Sequence, residues 1–60
     1  MDMNNIEKLE RRIRIKINKI SNQELSPKDS EIGKDLNLLK RLDEPSYDNL
    51  LEKYKIVLNN

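Results

Sequence analysis

The stretch Asn4-Asn5-Ile6-Glu7-Lys8-Leu9-Glu10-Arg11-Arg12-Ile13-Arg14-Ile15-Lys16-Ile17-Asn18-Lys19-Ile20 decides the fold, because its apolar residues can be read with two periods. Ile13-Arg14-Ile15-Lys16-Ile17 alternates apolar and charged residues as a half-buried strand does, and isoleucine favours strands. Over the longer window Ile6, Leu9, Ile13, Ile17 and Ile20 recur at helical spacing and fall within an arc of about 80° on a helical wheel. No second strand is available to pair with the short alternating run, and an isolated strand cannot satisfy its backbone. The spacing therefore predicts a helix over residues 4–20. Asn4 with Glu7 offers a capping pair, Glu7 and Glu10 lie near the positive end of the helix dipole, and Lys16 and Lys19 lie near the negative end.

Reading this stretch as a helix gives it a second face. Lys8, Arg11, Arg12, Lys16 and Lys19 cluster opposite the apolar stripe on an arc of about 140°, with Ile15 among them, about 180° from the stripe's centre. An apolar side chain framed by cations is the pattern of a binding face, and an acidic partner would prefer this end of the chain. The charge distribution agrees: residues 1–20 carry six basic and three acidic side chains, residues 21–45 four and six, and residues 46–60 two of each.

Outward from this helix, Ser21-Asn22-Gln23-Glu24-Leu25-Ser26 breaks the period and reads as a loop. Ser26-Pro27-Lys28-Asp29 then supplies a capping hydroxyl, a proline at the first helical position and an acid at the third. A second helix is expected over residues 27–42, burying Ile32, Leu36, Leu39 and Leu42 with Leu38 at the border. Gly33 inside it marks either a close approach by another helix, the reading preferred, or a functional kink. Asp43-Glu44-Pro45-Ser46 ends that helix, because the residue before proline is pushed out of helical geometry. Ser46 can cap a third helix over residues 46–58, with Tyr47, Leu50, Leu51, Tyr54, Val57 and Leu58 as its stripe and Ile56 on the far side. The expected architecture is all-α: a single small domain over residues 1–60, an antiparallel helical hairpin with a third helix laid across it. A chain of this size is marginal by itself, and self-association, most simply as a homodimer, is expected to help.

Composition narrows the chemistry. The 60 residues contain no histidine and no cysteine, which excludes imidazole acid/base catalysis, thiolate nucleophiles and the usual zinc sites. With one glycine there is no phosphate-cradling loop, and no calcium-loop spacing is present, so no cofactor or metal is expected. The longest apolar run, Ile56-Val57-Leu58, is far short of the roughly 20 residues of a membrane span, and no secretory signal pattern opens the sequence, so a soluble, cytoplasmic protein is expected. Asp29, Glu31 and Asp35 are expected on an exposed helical surface, where carboxylates lack the burial that separates pKa values for acid/base work.

Two short strings resemble known motifs. Asp29-Ser30 resembles the phosphopantetheine attachment site of acyl carrier proteins, with Glu31 where that pattern has leucine. The helix-loop-helix plan is similar to the small aspartyl-phosphate phosphatases of sporulation phosphorelays, whose second helix carries Ser-Gln-Glu-Leu-Asp. Here the nearest string is Gln23-Glu24-Leu25-Ser26, which lacks the final aspartate and falls in the expected loop.

These readings favour a small non-catalytic regulator or adaptor that binds a larger protein or itself through amphipathic helices. The candidate binding residues are Lys8, Arg11, Arg12, Ile15, Lys16, Lys19 and Ile56. The main rival is a nucleic-acid-binding accessory protein using the same basic row, although no aromatic is interleaved for base stacking. A phosphatase-like regulator, as the second resemblance implies, stands third.

Overall fold

The computed structural model describes residues 4–59, and these form four helices: α1 (Asn5–Ser21), α2 (Pro27–Ser30), α3 (Ile32–Leu42) and α4 (Glu44–Leu58). The helical reading of the first stretch holds. The Glu7 N–H donates to Asn4 Oδ1 at 2.7 Å, which is the expected cap, and Leu9, Ile13, Ile17 and Ile20 are buried. The C-terminus of α1 closes with Gln23 in the left-handed region at φ 62. There the Glu24 N–H donates to the Lys19 carbonyl at 2.8 Å and the Gln23 N–H to the Ile20 carbonyl at 3.1 Å. This paired closure uses up carbonyls that would otherwise lack partners and turns the chain back; glycine is the usual occupant of the left-handed position.

One expectation needs correction: the second helix is two helices. The Asp29 N–H donates to Ser26 Oγ at 3.1 Å, so the predicted cap is present, but the helix it starts ends at Ser30. Glu31 takes left-handed backbone angles, φ 55 and ψ 30, a conformation a non-glycine residue adopts at some cost. Ser30 makes the break possible. Its buried hydroxyl donates to the Pro27 carbonyl at 2.7 Å and accepts the Ile32 N–H at 3.1 Å, satisfying a donor at the start of α3.

Gly33 explains neither side of that break. A Cβ added there would meet nothing within 4 Å, so no helix approaches it closely, and the bend lies two residues earlier, at Glu31.

The third helix also starts early. α4 begins at Glu44 because a proline at the second helical position needs no N–H partner. Ser46 does not cap it: Asp43 holds the cap position in extended backbone, and Ser46 Oγ donates to Asp43 Oδ2 at 2.6 Å.

α1, α3 and α4 pack against one another around Leu9, Ile13, Ile17, Ile20, Ile32, Leu36, Leu39 and Leu50. α3 runs antiparallel to α1, since Leu38 and Leu42 near its end share a groove with Asn5 and Leu9, while Asp35 meets Arg12 and Lys16. α4 packs against both, with Lys53 beside Arg14, Ile17 and Asn18. Leu25 from the loop, Tyr47, Leu51, Tyr54 and Val57 close the core's sides, and Lys40 Nζ stands 5.6 Å from the Tyr47 ring. Leu42 and Leu58, both expected in the stripes, are exposed, each as the last residue of its helix. Leu38, expected at the border of its stripe, is 45% exposed and lines a groove beside Leu9.

Candidate functional site

With its inner face committed to the core, α1 turns Ile15 outward, 47% exposed. Lys8, Arg11, Arg12, Lys16 and Lys19 stand around it, and Leu25 reaches up from the loop to form the far wall of a groove of about 420 Å³. The groove's surface is largely apolar although five of its seven lining residues are cationic, since the methylene stems of lysine and arginine supply apolar area. Six of the sequence-predicted residues thus meet in one place. Ile56, the seventh, is 59% exposed on α4 and lines no part of this groove.

The five cations are not equivalent. Asp35 on α3 binds two of them, accepting from Lys16 Nζ at 2.6 Å on one carboxylate oxygen and from Arg12 at 3.1 Å on the other. The expectation that Asp35 lies on an exposed surface is therefore wrong: it is buried, with 12% of its side chain accessible. Two donors replace the water it gives up, which is what a carboxylate needs in order to leave solvent. Asp29 and Glu31 are exposed as expected, and Glu31 reaches only Lys34, at 3.5 Å. Lys8, Arg11 and Lys19 make no ion pair among the described residues.

A second groove continues the first. Lys8 and Arg12 line both, and beyond them Leu38 and Leu42 of α3, 45% and 47% exposed, flank Asn5 and Leu9. Together the two grooves form a seam along α1, walled by Leu25 of the loop at one end and by Leu38 and Leu42 of α3 at the other, that presents apolar, basic and apolar patches in sequence. Leu25, Leu38, Leu42 and Asp35 were not on the sequence-derived list of binding residues. Asp35 carried a readable signal: on the α3 wheel it falls between Leu39 and Leu42, inside the apolar arc, where a carboxylate requires a cationic partner.

Among the described residues no three acidic side chains group to hold a metal ion. Ser30 Oγ is buried and engaged by two backbone groups, and the Gln23–Ser26 string lies between α1 and α2. No helix of the described residues is long and apolar enough to cross a membrane. No protein-family model matches the chain, and neither a curated protein nor a solved structure shows significant similarity to it.

Proposed function

We propose that the protein is a small non-catalytic adaptor or regulator that works by binding another protein through the outer face of α1. One observation carries this reading: Ile15 is exposed at the centre of a largely apolar groove with a cationic rim, on a helix whose other face is fully used in the core. An apolar centre inside a polar rim is how protein interfaces exclude water from their strongest contacts. The rival nucleic-acid reading is disfavoured by Asp35, whose carboxylate already holds Arg12 and Lys16, two of the five cations a phosphate track would use.

The test is a photo-crosslinking amino acid placed at position 15 and, as a control, at exposed Asn37. After irradiation in the native cell, a discrete protein adduct from position 15 and none from position 37 supports the reading. Adducts to nucleic acid, or none from either position, would overturn it.

A further inference from the structure

We infer that the occupant of the seam formed by these two grooves along α1 is an acidic amphipathic helix of a partner protein, a proposal that rests on the interaction reading above and names the partner's chemistry. Three features of the seam define it. The first is shape: the two grooves share Lys8 and Arg12 and run along α1 from Asn5 to Lys19, a track of about 20 Å, the length of roughly four helical turns. The second is pattern. Leu38 and Leu42 form one apolar end and Ile15 with Leu25 the other, separated along α1 by about the distance of two helical turns. A helix laid along the seam would therefore meet it with apolar residues about seven positions apart. The third is charge. Lys8, between the two ends, and Arg11 and Lys19, beside Ile15, have no acidic partner among the described residues, whereas Arg12 and Lys16 are held by Asp35. Carboxylates between and beside the occupant's apolar residues would complete the unpaired set.

Other occupants fit less well. A second copy laid α1 against α1 would bring Lys8, Arg11 and Lys19 onto their own equivalents, placing like charges together. The acidic residues Asp48 and Glu52, with Ile56, are exposed on α4, and no α4 residue lines either groove of the seam. Docking that face into the seam of another copy would join two different surfaces, a head-to-tail contact that builds a ring or an open chain rather than a simple closed pair. An anionic membrane would meet two separated apolar patches rather than the wide continuous face an interfacial helix presents.

Fluorescence anisotropy with defined probes tests this on the full chain. The probe is a stapled helical peptide of roughly sixteen residues, with leucines about seven positions apart and glutamates at the third and fourth positions between them. Controls replace the glutamates with lysine or the leucines with alanine, and a duplex DNA and anionic phospholipid vesicles are run beside them. The acidic peptide should bind at least about tenfold tighter than either control peptide and lose affinity with added salt. Ile15→Ala, Leu38→Ala and the pair Lys8→Glu with Lys19→Glu should each weaken it several-fold at unchanged helical circular dichroism. Equal binding of the lysine peptide overturns the proposal, as does tighter Ile15-dependent binding of DNA or vesicles at physiological salt. Self-association detected by sedimentation and abolished by Ile15→Ala would also overturn it, making a second copy the occupant. If the peptide fails while position 15 still crosslinks to one protein, the partner's chemistry is wrong and the interaction reading stands; if both fail, both fall.

Discussion

Lys16 Nζ lies 2.6 Å from Asp35 Oδ2, and this contact fastens α1 to α3 at the edge of the core. Arg12 takes the other carboxylate oxygen at 3.1 Å, so one acid holds two cations a helical turn apart on the facing helix. The three side chains form the boundary between the buried stripe of α1 and its outer face.

Removing the acid should cost more than removing either base. Asp35→Ala leaves the largely buried Lys16 without its partner and should destabilise the fold by about 2 kcal/mol. Lys16→Met keeps the packing of the stem and leaves Asp35 with Arg12, and should cost under about 1 kcal/mol. Urea denaturation of both variants measures the difference. If Asp35→Ala melts like the parent chain, the ion pairs order the surface without holding the helices together.

The break between α2 and α3 yields a pair of opposite effects. Ser30→Ala strips the partner from a buried Ile32 N–H and should lower stability by about 1 to 2 kcal/mol. Glu31→Gly removes the steric cost of a left-handed backbone at φ 55 and should raise stability by about 1 kcal/mol, since the Glu31–Lys34 pair it loses is exposed and weak. Thermal or urea melts read both signs, and a destabilising glycine would show that the turn is not strained.

What the sequence made legible follows from what side-chain periodicity encodes. The buried residues of α1 and the outward direction of Ile15 are both consequences of one helical period, and both were read correctly. Pro27 and Ser26 announced a helix start through local chemistry that needs no tertiary context. The break at Glu31 was hidden because glutamate carries no signal for left-handed backbone and the nearby glycine, Gly33, drew attention to the wrong position. Leu25 looked like an ordinary loop residue, and only the closure around Gln23 brings it onto the core and the groove. A wheel places Leu42 in the buried stripe and Leu38 at its border, and cannot show that both stay open in a groove beside Asn5 and Leu9. The missing half of the candidate site therefore lay in tertiary relations between elements and not in any single element.

Gly33 offers a simple gain. It lies at the second position of α3 with ordinary helical backbone and open space where a Cβ would go. Gly33→Ala should stabilise the chain by about 0.5 kcal/mol by reducing the freedom of the unfolded state. A loss of stability in thermal melts would mean that the position is needed in some conformation other than this one.

Ile13 and Ile15 separate core from interface most sharply, since they are two residues apart on the same helix and nearly opposite in environment. Ile13 is fully buried between α1 and its neighbours, while Ile15 is 47% exposed. Ile13→Asp places a charge with no partner in the middle of the core and should leave the chain unfolded, seen as loss of helical circular dichroism and of a cooperative melt. Ile15→Asp removes only exposed apolar area and puts an acid near Arg11, Arg12 and Lys19, so helicity and melting temperature should stay close to those of the parent. Partner binding should nevertheless fall by more than about 2 kcal/mol, because truncating or charging the apolar centre of an interface costs far more than altering its rim. The two readouts must be taken on the same protein samples. If Ile15→Asp unfolds the chain as Ile13→Asp does, Ile15 belongs to the core, and the groove around it is packing rather than a binding face.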